Sequence, residues 1–245
     1  MIEITAAARA ELTPTGKLRA GINYGNFILA AKDPVTGEPF GVAIDLLRDI
    51  ARRLDMPVEI IDYDSPAIMG DAAPANAWDI AFLGSDPQRE KLMSFTQAYL
   101  EIDASYLVPG DSPFKTAAEV DRDGVRVAAY ARANFELFLK RNLKHANLTS
   151  TQGEEEAFEL LATGKVDALA GLTQGLLNMA PKLPRARVLD GRFMGVQQSI
   201  AVPKGRDASL AYLWRVVEEA KKSGLVARGI ERLGVQGVSV APLAD

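Results

Sequence analysis

The chain has 245 residues, of which 48% are hydrophobic and 24% are charged, a composition typical of a globular protein and unlike that of a disordered one. The formal net charge is −4 at pH 7, so the charge balance does not favour binding to nucleic acid or to an anionic membrane. There is no cysteine and a single histidine, which excludes disulfides and thiolate metal sites and argues against imidazole-rich ones.

Predicted strands and helices alternate along the first part of the chain. The strands are expected at residues 17–22, 57–61 and 78–83, and the helices at residues 42–54 and 68–71. A loop through residues 23–27 follows the first strand, and Asp33-Pro-Val-Thr-Gly37 predicts a turn. This β-α-β order predicts a largely parallel sheet, and such sheets bind ligands beyond the carboxyl ends of their strands.

The turn after the strand at residues 78–83 carries an unusual charge. Asp86 followed by Pro87 predicts a helix start, with a carboxylate at the N-cap and a proline at the first helical position. Arg89 would then be the third helical residue, where the helix dipole disfavours a cation by roughly 0.3–1 kcal/mol. An arginine among helix-start amides is a good receptor for a carboxylate or a phosphate. The alternative is that Arg89 pairs with Asp86 or Glu90 in water.

The second part of the chain repeats the same alternation. Strands are expected at residues 125–129 and 166–170, and helices at residues 134–143, 154–163, 208–223 and 225–233, followed by a tail at residues 234–245. Two similar strand endings, Ser105-Tyr-Leu-Val-Pro-Gly-Asp111 and Ser199-Ile-Ala-Val-Pro-Lys-Gly205, bracket the second region. Chance similarity of apolar strands is one explanation. The other is a hinge between two lobes, with crossings near residues 105–108 and 199–202.

Four stretches of the sequence occur in an order that indicates a family. They are Lys17-Leu-Arg-Ala-Gly-Ile22, Phe40-Gly-Val-Ala-Ile-Asp-Leu-Leu-Arg-Asp-Ile-Ala-Arg-Arg-Leu54, Trp78-Asp-Ile-Ala-Phe-Leu-Gly-Ser-Asp-Pro-Gln-Arg89 and Phe95-Thr-Gln-Ala-Tyr99. Together they resemble family 3 solute-binding proteins, the polar amino-acid receptors of ABC importers, over about residues 15–233. The resemblance implies an α/β fold of two Rossmann-like lobes joined by two crossover strands (periplasmic binding protein-like II). Lobe 1 would comprise residues 1–106 and 200–245, and lobe 2 residues 107–199.

The resemblance also implies a ligand site in a cleft between the lobes. Arg89 matches the arginine that clamps the ligand's α-carboxylate, and Asn23, Asn26 and Phe27 match the first loop, where an aromatic residue often covers the ligand. The remaining residues of the expected ligand-binding set are Ser65, Phe82, Leu83, Gly84, Tyr130, Arg132 and Leu172.

Two departures from the family pattern concern the second lobe. Leu172 stands where the family usually has an acidic residue for the ligand's ammonium, which puts an ordinary α-amino acid ligand in doubt. Tyr130-Ala-Arg132 replaces the usual Gly-Thr turn. Arg132 in the cleft would favour a doubly anionic ligand, since arginine binds carboxylates in a bidentate manner. The alternative places Arg132 on the surface of the next helix.

The sequence offers little for catalysis. His145 lies in a polar stretch at a helix end, and the acidic run Glu154-Glu-Glu156 is explained by the favourable position of acids at a helix start. We therefore expect a receptor that binds a small carboxylate-bearing ligand without chemistry, with no cofactor and no metal. A dehydratase-like enzyme of the same fold and a stand-alone ligand sensor are the alternatives.

The expected partners are the carboxylate ligand and an ABC permease, with no nucleic acid, and the protein is expected to be a monomer. The N-terminus lacks the basic start and the apolar segment of a secretory signal, and no apolar run approaches the roughly 18–20 residues that span a bilayer. The family resemblance implies a periplasmic location if a leader has been removed, and a cytoplasmic location stays open.

Overall fold

The computed structural model describes residues 2–244, which divide into two compact units. Unit 1 comprises Met1–Glu101, Gln197–Val235 and Ser239–Asp245, and unit 2 comprises Ile102–Val196 and Gln236–Val238. The sequence placed the divisions at residues 106/107 and 199/200, and it assigned the whole C-terminal segment to the first lobe.

The helices and strands alternate in both units. The helices are α1 (Ala6–Leu12), α2 (Val42–Leu54), α3 (Pro66–Asp71), α4 (Asn134–Asn142), α5 (Glu154–Ala162), α6 (Thr173–Met179), α7 (Asp207–Lys222) and α8 (Leu225–Leu233). The strands are β1 (Leu18–Asn23), β2 (Ala31–Lys32), β3 (Pro39–Phe40), β4 (Val58–Tyr63), β5 (Ile80–Gly84), β6 (Met93–Phe95), β7 (Leu100–Val108), β8 (Arg126–Tyr130), β9 (Asn147–Thr151), β10 (Ala168–Leu172), β11 (Arg187–Val188), β12 (Met194–Pro203) and β13 (Val238–Val240).

In the sheet of unit 1, β1 lies between two parallel neighbours. β1 pairs in parallel with β4 on one side and with β5 on the other, and the second half of β12 runs antiparallel to β5. All five residues of β5 are buried, as expected of a central strand covered on both faces. Leu83 packs on one face in a cluster with Trp78, Met69 and Met93, whereas the ring of Phe82 meets Tyr99 edge-on at 6.3 Å between centroids.

The glycine at the start of α2 is required by its backbone. Gly41 has φ +125°, and a Cβ there would lie 2.4 Å from the carbonyl oxygen of Leu29. Four residues later, Asp45 forms an ion pair with Arg232 of α8. The Gly-x-x-x-Asp pattern thus permits a close chain approach and joins two helices.

Unit 2 repeats the parallel arrangement of unit 1. β8 pairs in parallel with β9 on one side and with β10 on the other, and β7 runs antiparallel to β10. Each unit also begins its parallel pair with the same Arg–Asp contact. Asp79 accepts hydrogen bonds from the backbone N–H and the guanidinium of Arg19, and Asp167 accepts the same set from Arg126. The two aspartates lie in similar stretches of sequence, Trp78-Asp-Ile-Ala-Phe-Leu-Gly84 and Val166-Asp-Ala-Leu-Ala-Gly171, so the similarity has a structural counterpart.

The predicted helices and strands are present with ends shifted by at most two residues, and α2 and α8 have the predicted bounds. Two predictions were wrong. The segment after Gly234 is not a plain tail, because β13 pairs with β7 and Gly237 O accepts from Asp103 N at 2.7 Å; Asp245 lies outside the described residues. The α-helix predicted after Asp86 is a single 3₁₀ turn, Arg89–Lys91.

The two Arg–Asp contacts differ in burial, and this difference predicts different costs of mutation. The Asp79 side chain is fully buried and also accepts from Arg206 at 2.9 Å, whereas the Asp167 side chain is 36% exposed. Breaking a buried pair leaves an uncompensated charge, so D79N should lower the free energy of unfolding by ~3–5 kcal/mol. The matched variant D167N should cost about 1 kcal/mol. Urea denaturation of both variants tests this, and equal losses would contradict the assigned role of burial.

Candidate functional site

The carboxyl ends of the parallel strands bring the expected site residues together within each unit. In unit 1, β1 ends at Asn23 and β5 ends at Gly84. In unit 2, β8 ends at Tyr130 and β10 ends at Leu172. These strand ends are the usual ligand positions of open α/β sheets.

Arg89 is a buried cation at the end of β5. Its side chain turns back along the chain, and a guanidinium N–H donates to Gly84 O at 2.8 Å. The residue is only 7% exposed. Asp86, also buried, shapes the turn by accepting from Gln88 N at 2.8 Å.

The position of Arg89 differs from the predicted one in a way that changes its explanation. Arg89 begins the 3₁₀ turn, and the first turn of an α-helix is absent there. Because the dipole of one short turn is small, the argument from the helix dipole does not apply. What distinguishes Arg89 is burial of a guanidinium beside the last carbonyl of a central strand.

The loop after β1 is held in shape by its own asparagines. Asn23 Oδ1 accepts from Gly25 N at 2.8 Å, and Asn26 Oδ1 accepts from Ile28 N at 3.2 Å. These short-range bonds are typical of asparagine in turns. Phe27, in the same loop, is 36% exposed.

The side chains of three other expected ligand-binding residues of unit 1 have structural roles. Phe82 and Leu83 are each 2% exposed and pack into the core, so only their backbone groups could meet a ligand. Ser65 is the N-cap of α3, and its hydroxyl accepts from Ile68 N at 3.2 Å.

A pocket that the sequence analysis missed opens at the carboxyl ends of β1 and β4. It measures about 440 Å³ and is lined by Tyr24, Gly25, Ala31, Lys32, Asp62, Tyr63 and Asp64. The Lys32 ammonium lies 2.6 Å from Asp62 and 4.5 Å from the centroid of the Tyr24 ring. The hydrogen bond with Asp62 raises the pKa of Lys32, and burial raises the pKa of Tyr24. No local pattern signals this contact, since its partners are 30 residues apart.

The turn between β8 and α4 is built around an arginine in an unusual conformation. Arg132 is exposed and has φ +65°, a region that favours glycine. Glu136, whose side chain is fully buried, accepts from Arg132 N at 3.0 Å, from Ser150 Oγ at 2.6 Å and from Lys140 Nζ at 2.5 Å. Arg132 therefore precedes α4 and does not lie on the helix surface.

Leu172 and Tyr130 are both half-buried residues that pack against the same apolar cluster of unit 2. Tyr130 also meets Phe135 edge-on, at 5.5 Å between ring centroids. Both side chains therefore add to the apolar packing at these strand ends, and Leu172 brings no carboxylate there. Among the described residues, no group of three or more His, Asp or Glu side chains is placed to hold a metal ion.

His145 lies apart from these strand ends in the chain segment between α4 and β9. Its side chain is 53% exposed, and its Nδ1 lies 3.1 Å from Asp123, a carboxylate that is itself 90% exposed. Within residues 2–244, no helix is both long enough and apolar enough to cross a membrane.

Comparison with known proteins defines the class. Residues 20–233 match the model of the bacterial extracellular solute-binding proteins, family 3. The chain belongs to this family, as the resemblance of its motifs indicated.

Two relatives are named for glutamine. The glutamine-binding protein of Geobacillus stearothermophilus is 26% identical over 182 residues, covering 73% of this chain and 69% of the relative. The ABC transporter glutamine-binding protein of Bacillus subtilis is 22% identical over 222 residues, covering 88% of this chain and 80% of the relative.

Solved structures share the fold. An amino acid ABC transporter substrate-binding protein from Streptococcus pneumoniae, bound to L-arginine, superposes with a TM-score of 0.74 at 22% identity, over 95% of this chain and 100% of that one. An ancestral amino acid-binding protein, described as a precursor of cyclohexadienyl dehydratase, gives 0.73 at 22% identity, over 93% and 99%. The predicted fold class, that of the type II periplasmic binding proteins, is confirmed.

Proposed function

We propose that this protein is the solute receptor of an ABC-type importer and binds a small carboxylate-bearing ligand, an amino acid or a related organic acid, without transforming it. The observation that carries the proposal is the guanidinium of Arg89, buried at the carboxyl end of β5 and oriented by the carbonyl of Gly84. The names of the relatives, which refer to glutamine binding and to an ABC transporter, support the same role.

Arg89 is suited to anchor a carboxylate. A guanidinium has five N–H donors in a fixed planar fork that matches the two oxygens of a carboxylate. Its bond to Gly84 O restricts the rotation of the fork before a ligand arrives, so less side-chain entropy is lost on binding. Because the residue is 7% exposed, the pairing takes place in a medium of lower dielectric constant than water.

The strand ends of unit 2 suggest which ligands are favoured. Leu172 packs against an apolar cluster together with Tyr130, so this surface suits the hydrocarbon part of a ligand better than an ammonium. We therefore propose that carboxylates lacking an α-ammonium are bound at least as well as α-amino acids.

We further propose that the protein works outside the cytoplasmic membrane together with a permease. The family is one of extracellular proteins, and one relative is named as part of an ABC transporter. A binding role without catalysis also agrees with the exposed position of His145, the single histidine of the chain.

Removing the guanidinium of Arg89 should weaken ligand binding strongly while the fold remains. In a thermal-shift screen of amino acids, dicarboxylates and aromatic acids, a ligand at 100 times its Kd stabilises the protein by ~2.7 kcal/mol. Calorimetry with the strongest ligand of the screen should show that R89A loses ~2–5 kcal/mol of binding free energy, since a charge-assisted pair is removed. R89K keeps the positive charge but lacks the planar set of N–H donors, so its loss of binding free energy should be smaller than that of R89A.

The control is R215A, which removes an exposed arginine of α7 in the same unit. It should bind as the unmodified protein does, and circular dichroism should show that each variant is folded. Equal affinity of R89A and the unmodified protein would refute the anchor. A ligand recovered chemically changed would refute the receptor role.

A second variant tests the apolar end of β10. L172D places a carboxylate where the family usually has one, and it should increase the affinity for L-glutamate relative to glutarate, which lacks only the amino group. The asparagine in L172N has nearly the same shape as the aspartate in L172D but carries no charge. L172N should therefore leave the ratio of the affinities for L-glutamate and glutarate unchanged. Calorimetry of the three proteins measures the ratio. An unmodified protein that already binds L-glutamate much more tightly than glutarate would show that Leu172 does not govern ammonium recognition.

A further inference from the structure

The pocket at the ends of β1 and β4 has the chemistry of a cation site. Its lining includes the aromatic residues Tyr24 and Tyr63 and the acidic residues Asp62 and Asp64, and the Tyr24 ring is the one that contacts a cation there. Aromatic faces attract cations through their quadrupole, and carboxylates attract them directly. A guanidinium or an ammonium is therefore the group that such a lining recognises.

In this protein, the cation in that position belongs to the chain itself. The Lys32 ammonium is 2.6 Å from Asp62 and lies over the Tyr24 ring at 4.5 Å from its centroid. Both side chains of the ion pair are half exposed, at 50% and 51%, so the contact is at the open surface of the pocket and not in the core.

A short hairpin holds Lys32 there. Lys32 is the last residue of β2 and pairs with Pro39 of β3. The intervening turn is closed by Asp33, whose Oδ1 accepts from Val35 N at 2.9 Å and from Thr36 N at 2.8 Å. The lysine is therefore presented from a defined backbone position.

We infer that Lys32 is a specificity-determining residue that fills a cation-binding position, formed by Tyr24 and Asp62, and thereby excludes ligands with a cationic side chain. The inference rests on the proposed function. The pocket lies at the carboxyl ends of β1 and β4, and its residue Tyr24 belongs to the same loop as Asn23, Asn26 and Phe27. A ligand anchored at the end of β5 would extend along this edge of the sheet, because β1 lies between β5 and β4.

Replacing the lysine tests the inference directly. K32M keeps the length and apolar stem of the side chain and frees Asp62 and the Tyr24 ring. Its affinity for L-arginine should rise roughly tenfold, since a cation–π contact and an ion pair become available to the ligand. Its affinity for L-citrulline, the uncharged analogue of arginine, should change by less than about twofold. Calorimetry or thermal-shift titration with these two probes measures both.

Two further variants isolate the cause. K17M removes an ion pair with Glu59 that links the amino ends of the same two strands, at 2.9 Å and with both side chains 43% exposed. It should leave both affinities unchanged. In K32M/D62N the gain for arginine should disappear, because the carboxylate is gone.

The outcomes separate this inference from the proposed function. If K32M binds L-arginine no better than the unmodified protein does, the inference is refuted, whatever other ligand binds through Arg89. If K17M gains as much as K32M, a general change of charge is responsible and the inference is again refuted. If no carboxylate-bearing ligand binds to any of the proteins, the proposed function fails and the inference fails with it.

Discussion

The registers of the parallel strands determine where the strand ends of both units lie. Asp79 binds both the backbone N–H and the guanidinium of Arg19, so the start of β5 is held beside the start of β1. Ala20 is then opposite Ile80, and the carboxyl ends Asn23 and Gly84 follow. A slip of one residue would turn each side chain of a strand to the opposite face. The same contact between Arg126 and Asp167 sets the ends of β8 and β10.

With the register established, the two units offer different chemistry at equivalent strand ends. Unit 1 places charged groups there: the buried guanidinium of Arg89 and the Lys32–Asp62 ion pair. Unit 2 places half-buried apolar groups, Tyr130 and Leu172, at the ends of β8 and β10. A buried charged group is stabilised only where acceptors or counter-ions are close, and the described contacts of Arg89 and Lys32 supply them in unit 1. In unit 2, Arg132 follows the end of β8 and is exposed.

Much of the framework could be predicted because its signals are local. The bounds of α2 follow from apolar residues at helical spacing. The turn at residues 33–37 follows from Asp33, whose carboxylate accepts a hydrogen bond from a backbone N–H two residues later, as aspartate often does in turns. The family was recognised from the order of four motifs, and the match over residues 20–233 confirms it. The assignment of Arg89 as the ligand anchor stays a prediction, and its structural explanation is burial and not a helix dipole.

What the sequence did not reveal depends on contacts between distant residues. The Lys32–Asp62 pair joins a hairpin to β4, and β13 forms only because β7 is beside it. The turn at Arg132 has a left-handed backbone that the residue type argues against, and the buried carboxylate of Glu136 holds it through a backbone hydrogen bond. Such conformations depend on tertiary contacts, which cannot be predicted from the propensities of neighbouring residues.

The most direct test of the central claim is a crystal structure of the protein with the ligand that stabilises it most in the thermal-shift screen. The account predicts that a carboxylate of the ligand lies within hydrogen-bond distance of the Arg89 guanidinium at the carboxyl end of β5. A ligand bound elsewhere, with Arg89 making no contact to it, would contradict the account.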